Sequence, residues 1–168
     1  TIEVSGLKGG HSGVEIDKER GNADIIAARV LSGILDNVYI ECISINGGSK
    51  DNAIPRECKA EILVNERDVL KVKEQTERMN NIIRSEYSSS DSDVNITLKE
   101  EGYGTYTVML PEDLNNILFY LNNIPNGVVN MNPDIQGLVE TSLNLGILTT
   151  ADNCMTAVSA GRSSVGTR

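Results

Sequence analysis

One histidine stands in a glycine-rich stretch near the start of the chain. It is His11, at the centre of residues 9–13, which read Gly-Gly-His-Ser-Gly, and it is the only histidine among the 168 residues. The glycines free the backbone and leave the imidazole accessible. An imidazole can donate a hydrogen bond to an anion or to a developing oxyanion. The alternative is a surface histidine without a role, and these five residues alone favour that alternative.

A second group of polar side chains lies within residues 46–57. An Asn-Gly-Gly turn at 46–48 is followed by Asn52 and then by Arg56. The amide of Asn52 can both donate and accept hydrogen bonds, and the guanidinium of Arg56 can bind a carboxylate through two bonds. Turn formation explains the same composition, because Asn, Gly and Pro are common in turns. Taken alone, this stretch favours a turn.

Two further groups contain carboxylates. Glu140, Ser142 and Asn144 alternate along a predicted strand, so they form a polar stripe that could face a substrate but that more simply faces solvent. The pair Glu100-Glu101 has no His or Asp at metal-ligand spacing, and we interpret it as solvated charge. The motifs HxD, HExxH, GxSxG and a phosphate-binding glycine loop are all missing from the sequence. The sequence therefore predicts neither a complete active site nor a metal site.

Composition and charge restrict the class of protein. The chain is 39% hydrophobic, which suits a globular domain, and its net charge of −9 opposes binding to a phosphate backbone. No apolar run approaches the ~18 residues that a membrane span needs. We therefore expect neither nucleic acid nor a membrane as a partner.

Cysteine usage and the first residue add two expectations. The three cysteines are an odd number without a CxxC motif, and no signal peptide is recognisable, which favours a reducing cytoplasm and three free thiols. Because the sequence starts at Thr1 and not at a methionine, we expect a piece of a longer protein.

The spacing of apolar residues predicts an α+β fold. The order strand, helix, strand, strand, helix, strand in residues 1–98 is that of a ferredoxin-like βαββαβ domain, with one antiparallel sheet and the helices on one face. Residues 8–21 are predicted to be a loop, and Asn22 is the expected cap of the first helix. The predicted strands are 1–7, 38–45, 58–65 and 94–98, and the predicted helices are 23–35 and 69–83.

The remainder extends this core by a helix and a β-hairpin. Pro111 is placed to open a helix, because proline suits the first helical turn. A long strand at 138–149 and a returning strand at 154–159 follow, joined by a turn at Asp152-Asn153. We expect one domain over residues 1–168, with the core at about 1–98 and the extension at about 99–168.

Several motifs in this order resemble one family. They include Gly-Gly-His-Ser-Gly, Asn-Ala-Ile-Pro and Glu-Thr-Ser-Leu-Asn, and the full series covers residues 4–13, 20–23, 46–48, 52–57, 125–128 and 140–146. The series closely resembles the aminoacyl-histidine dipeptidases, which belong to a family of two-zinc metallopeptidases that also includes carboxypeptidase G. In that family an inserted lid or dimerisation domain with a ferredoxin-like core interrupts the catalytic domain.

The resemblance implies a function for the chain. It would be the lid or dimerisation domain of a cytosolic bacterial zinc dipeptidase that hydrolyses Xaa-His dipeptides. The zinc ions would belong to a catalytic domain outside this chain, so the chain alone would hold no metal and would be inert. Its partners would be its own catalytic domain, a second copy of the subunit and a dipeptide. A stand-alone ferredoxin-like binding or regulatory module and a purely structural dimerisation domain are the alternatives.

The same resemblance assigns site residues one at a time. His11 matches the lid histidine that contacts the transition state or the substrate carboxylate, in dimeric members within the partner subunit's site. Asn52 matches a substrate-binding asparagine. Arg162 matches the arginine that holds the substrate carboxylate in this branch, since residues 63–66 lack the arginine that simpler members carry there. Asn144, on the preceding strand, is the remaining candidate for substrate binding.

Overall fold

The computed structural model describes residues 1–151 and 154–166. Three α-helices and two short 3-10 helices, at Ile16–Lys18 and Glu66–Asp68, occur in that part of the chain. The α-helices are α1 (Ala23–Leu35), α2 (Val69–Glu86) and α3 (Pro111–Asn123). The strands are β1 (Ile2–Ser5), β2 (Gly10–His11), β3 (Glu41–Gly48), β4 (Ala53–Ile54), β5 (Cys58–Leu63), β6 (Asn95–Leu98), β7 (Gly127–Met131), β8 (Val139–Ala151) and β9 (Cys154–Ser163).

One antiparallel sheet joins the predicted core to its extension. Its strand order is β6-β1-β5-β3-β8-β7, and β9 pairs with β8. The first four strands and the helices α1 and α2 form the predicted βαββαβ unit, with Ile2 opposite both Ala60 and Leu98. The predicted fold class is confirmed, including the additional helix and hairpin.

Helix α1 lies at the centre of the core. Its apolar face is buried against the sheet, and its small residues Ala23, Ala27 and Ala28 let the backbones approach closely. Asn22 caps the helix as predicted, because its side-chain oxygen accepts the N–H groups of Asp24 and Ile25. In the described part of the chain, no helix is both long and apolar enough to cross a bilayer.

Strand β8 connects the two halves of the sheet. One edge pairs with β9 along most of its length, and the other edge pairs with β7 at one end and with β3 at the other. The register shifts between Leu145 and Ile147, so Gly146 forms a β-bulge. Because of this bulge, both Leu145 and Leu148 reach the core, although they are three residues apart.

The structure differs from the sequence prediction at several boundaries. Residues 8–21 contain β2 and a 3-10 turn in addition to loop. Strand β3 begins at Glu41, because the N–H groups of Asn37 and Val38 still bond to Ile34 at the end of α1. It continues through Gly47 and Gly48, which pair with β5 and β8. Strand β7 was not predicted, β9 is longer than expected, and the predicted turn at Asp152-Asn153 lies outside the described residues.

The cysteines lie apart in the fold. Cys42 and Cys58 are on the paired strands β3 and β5, but their partners in register are Ile62 and Gly47. Both are buried and Cys154 is exposed, and in the described residues all three are free.

A carboxyl group is buried beside this strand pair. Asp24 is fully buried at the start of α1, and among the described residues neither of its oxygens has a hydrogen-bond partner. A Cβ atom at Gly47 would lie only 1.9 Å from Asp24 Oδ1, so the carboxyl group occupies the space that a side chain would need. Burial raises the pKa of Asp24 from 3.8 to about 7, and the nearby Cys58 thiol offsets only part of that rise.

This buried carboxyl group predicts a pH-dependent stability. Between pH 4 and 7 the folded chain keeps the proton that the unfolded chain releases, so the free energy of unfolding falls as the pH rises through that range. Above pH 7 the buried, ionised carboxylate lowers the free energy of unfolding by its full amount, up to about 4 kcal/mol. We expect Asp24→Asn to raise the free energy of unfolding at pH 8 and to have a much smaller effect at pH 5. Denaturant titration at both pH values is the measurement.

The matched control is Asp36→Asn, at the exposed C-terminal end of the same helix. It removes the same charge, and its effect should not change in this way with pH. An Asp24→Asn protein no more stable than the wild type at pH 8 would show that the carboxyl group costs nothing in the fold.

Candidate functional site

His11 and Asn52 lie side by side at one end of the core. The short strands β2 and β4 pair, with His11 opposite Ala53 and Gly10 opposite Ile54. The N–H of Ser12 donates to the carbonyl oxygen of Asn52 at 2.9 Å. The two predicted site loops are therefore joined through their backbones, while the side chains of His11 and Asn52 remain exposed.

The loop fixes which nitrogen of His11 can donate. Nδ1 accepts the N–H groups of Gly13 at 3.0 Å and Val14 at 3.2 Å. A neutral imidazole whose Nδ1 accepts carries its proton on Nε2. His11 thus presents an N–H donor from Nε2 at the exposed side of the ring. This is the donor that the sequence hypothesis requires of it.

Arg162 lies on the other side of the same loop. A Cβ atom at Gly13 would be 3.2 Å from the Arg162 Cζ atom and 3.2 Å from the His11 Cε1 atom. The guanidinium and the imidazole therefore flank one glycine. On β9, Arg162 pairs with Ser142 of β8, so both side chains extend from the same face of the sheet. The structure brings His11, the loop of Asn52 and Arg162 together.

Asn144 lies behind the Asn52 loop. It is only 1% exposed, and its Nδ2 donates to the carbonyl oxygens of Asp51 at 3.2 Å and Ala53 at 2.9 Å. These carbonyls belong to the residues on either side of Asn52. Asn144 thus fixes the loop that presents Asn52, and its contact with a substrate stays a prediction.

The polar stripe on β8 is not a solvated surface. Glu140 is 8% exposed and Ser142 is 4% exposed, so the expectation that the stripe faces solvent is wrong. Alternation identified the face correctly, but the loop of residues 50–53 lies over it, where Asn144 Nδ2 donates to the carbonyl oxygens of Asp51 and Ala53. Nothing in the local pattern of β8 indicates that cover.

The remaining sequence candidates lie outside this cluster or support it. Arg56 extends over Gly9 and donates from Nε to the carbonyl of Leu7 at 3.3 Å, so it supports the loop's backbone. The pair Glu100-Glu101 is exposed and forms ion pairs with Lys73 and Lys99. That pair is solvated charge, as the sequence indicated.

A buried carboxylate closes the loop that carries His11. Asp91 is fully buried, and its two oxygens accept the N–H groups of Lys8 and Gly21, each at 2.8 Å. These two residues mark the ends of the loop. Sequence reasoning missed Asp91, because its partners lie 83 and 70 residues away and no local motif links them.

The site contains hydrogen-bond donors but no metal-binding cluster. Across residues 1–151 and 154–166, no group of three His, Cys, Asp or Glu side chains is arranged to hold a metal ion. The donor set at the site is an imidazole, a guanidinium and an amide. Such a set suits a carboxylate or another anionic oxygen.

Comparisons with known proteins identify the family. Residues 2–91 match the model described as "Peptidase dimerisation domain". The chain belongs to this family. It is 34% identical over 152 residues, or 90% of its length, to the cytosol non-specific dipeptidase of Escherichia coli (strain K12). It also superimposes on the crystal structure of aminoacylhistidine dipeptidase from Vibrio alginolyticus with a TM-score of 0.94, at 32% identity and 99% coverage of this chain.

The resemblance stated from the sequence is therefore confirmed. The chain spans 31% of the Escherichia coli relative and 34% of the Vibrio chain, which is about a third of each. The family model covers the ferredoxin-like unit up to Asp91. Residues that follow it, including α3 and β7–β9, supply Asn144 and Arg162.

The contacts of Asp91 give a testable prediction. Asp91→Asn keeps one oxygen acceptor and places an amide donor against the other N–H, so one end of the loop is released. Hydrogen bonds to charged groups contribute roughly 1.5–3 kcal/mol each, and we expect a loss of about 2 kcal/mol in the free energy of unfolding. Amide hydrogen exchange at Lys8 and Gly21 should accelerate. Asp93→Asn, an exposed carboxylate two residues away, is the control and should change neither quantity.

Proposed function

We propose that this dimerisation domain is the lid of a zinc dipeptidase and supplies substrate contacts to its active site. The observation that carries the proposal is the meeting of His11 and Arg162 on either side of Gly13, next to the loop of Asn52. The family match and the two dipeptidase relatives support it. The substrates proposed are Xaa-His and related dipeptides, and the compartment is the cytoplasm.

The chemistry of a dipeptide fits these side chains. A dipeptide has a free C-terminal carboxylate, which a planar guanidinium such as that of Arg162 can bind through two parallel hydrogen bonds. The Nε2–H of His11 can donate to the scissile carbonyl oxygen as negative charge develops on it, or to the substrate carboxylate. The amide of Asn52 can pair with a backbone group of the dipeptide.

The frame behind these groups is rigid. Asn144 on β8 holds the residues on both sides of Asn52, and β9, paired along β8, carries Arg162. One strand pair therefore sets the spacing between the amide and the guanidinium. Sites built on strands are held more accurately than sites on loops alone.

The remaining parts of the mechanism lie with the partners. The described residues of this chain do not form a metal centre, so zinc would be held by a catalytic domain elsewhere in the polypeptide. A second copy of the subunit is the other proposed partner, as the family name indicates. Closing the lid on the catalytic domain would complete the set of donors and exclude water. His11 would act within its own subunit or in the partner's site.

The proposal predicts a large effect of His11→Ala in the full-length enzyme. Loss of one preorganised donor to an oxyanion typically costs ~10²–10³ in turnover. We expect kcat/KM for an Xaa-His dipeptide to fall at least roughly a hundredfold. The thermal midpoint and metal content should stay unchanged, because His11 is exposed. Asp17→Ala, in the same loop, is the control.

Near-normal turnover in His11→Ala would overturn the proposal, and so would a loss of activity matched by unfolding. Mixing His11→Ala subunits with subunits that lack a metal ligand shows whether His11 acts in its own subunit's site or in the partner's. Recovered activity in the mixed dimer places His11 in the partner's site. No recovery places it in its own.

A second prediction concerns the chain by itself. The 168-residue chain should hold no stoichiometric zinc and should hydrolyse no dipeptide, since the groups that the proposal assigns to chemistry lie elsewhere. Elemental analysis after purification in zinc, and an assay with an Xaa-His dipeptide, measure both. One tightly bound zinc ion per chain together with hydrolysis would contradict the lid assignment.

A further inference from the structure

Glu15, four residues further along the loop, holds the backbone of His11 at both its N–H and its carbonyl group. The carboxylate of Glu15 accepts the backbone N–H of His11 at 3.0 Å through Oε2, and the backbone N–H of Glu15 donates to the carbonyl of His11 at 3.0 Å. Both backbone polar groups of His11 are therefore engaged by one residue. This arrangement fixes the direction in which the imidazole leaves the chain.

Arg20 locks the carboxylate in place. Its Nη2 lies 3.1 Å from Glu15 Oε1, and its Nη1 donates to the carbonyl oxygen of Gly9. Lys18 Nζ adds a contact of 2.9 Å to Glu15 Oε1. The Arg20 guanidinium thus connects Glu15 to the backbone of Gly9, two residues before His11. The Arg20 side chain is only 17% exposed, so this contact is largely shielded from water.

The glycine beside His11 leaves room for this pair and suits the backbone conformation there. A Cβ atom at Gly10 would lie 2.6 Å from Arg20 Nη1 and 2.9 Å from Glu15 Oε2, closer than real side chains approach. Gly10 also has a φ of +148°, a conformation that L side chains rarely adopt. The sequence around His11 therefore provides room for the Glu15–Arg20 pair, in addition to freedom for the loop.

The charge on Glu15 is well stabilised. The hydrogen bond from the His11 backbone, with help from Lys18 and Arg20, lowers the pKa of Glu15 from 4.5 to about 2. Glu15 is therefore ionised throughout the neutral range, and the contact does not change as the pH varies between 5 and 9.

We propose that Glu15, held by Arg20, is a positioning residue that sets the direction of the His11 Nε2–H donor. This inference rests on the proposed role of His11. Glu15 does not touch the substrate. It acts through the backbone of His11, while Gly13 and Val14 fix the ring by bonding to Nδ1. A donor displaced by about 1 Å can lose roughly a hundredfold in rate, so such positioning has a measurable effect.

The first test uses the 168-residue chain, whose only imidazole is that of His11. Its two ring nitrogens can be followed by ¹⁵N NMR without assignment of other histidines. In the wild type we expect one tautomer, with a protonated Nε2 and an accepting Nδ1. In Glu15→Gln we expect the two ring shifts to move toward each other as the ring samples both tautomers. Glu19→Gln removes the same charge from an exposed side chain of the same loop and is the control.

The second test uses the full-length enzyme with an Xaa-His dipeptide. Glu15→Gln should lower kcat at least roughly tenfold while KM stays within about twofold, because a misdirected donor affects the transition state more than substrate binding. Glu19→Gln should leave both constants unchanged. If Glu15→Gln fails to fold, Arg20→Gln disrupts the same pair from the other side and takes its place in both tests.

The outcomes separate this inference from the proposed function. Ring shifts and a kcat like those of Glu19→Gln, in a protein where His11→Ala is impaired, would overturn the positioning role alone. If His11→Ala is itself fully active, the proposed function fails, and the ring shifts alone then decide whether Glu15 orients the imidazole.

Discussion

The His11 loop depends on one buried carboxylate, that of Asp91. Its two oxygens accept N–H groups from both ends of the loop, and its own backbone bonds to Tyr87 at the end of α2 and to Val94. The loop is thereby attached to the helix layer and to the start of β6. Asp91 fastens both ends of a glycine-rich stretch of 14 residues that would otherwise be costly to order, and the β2–β4 pairing holds its middle.

The opposite wall of the site depends on a different element. Strand β8 carries Asn144, which fixes the loop of Asn52, and pairs with β9, which carries Arg162. The ferredoxin-like unit thus contributes the imidazole and the amide, and the extension contributes the guanidinium and the support. Because the sheet is continuous between β3 and β8, both contributions are fixed relative to one another. Neither half contains all of these groups.

The sequence was informative where a residue's role depends on near neighbours. The period of α1 and the cap at Asn22 were predicted correctly, because both are determined within a few positions. The motifs around His11 and Asn52 were also recognisable locally. Asp91 and the burial of Ser142 were not predictable, since each depends on contacts more than 15 residues away in the chain.

Glycine positions show the same limit. Gly47 and Gly48 suggested the end of a strand, yet they lie within β3, because Asp24, Cys58 and the backbone of β8 approach them closely. A propensity for turns was overridden by a requirement for space. Glu15 is similar, since no motif in the sequence links it to Arg20 and their contact is visible only in the structure.

The β-bulge at Gly146 has a consequence for how this domain tolerates changes in length. One supernumerary residue changes the alternation of β8, so that Asn144 extends to the site and Leu148 extends to the core. Deletion of that residue would restore regular alternation and keep Asn144 and Leu148 on opposite faces, whereas one further residue inserted between them would place both on the same face. Either the polar residue enters the apolar interior or the leucine leaves it. Homologous dimerisation domains should therefore accept insertions near residue 135, in the exposed segment before β8, far more readily than an insertion between residues 144 and 148.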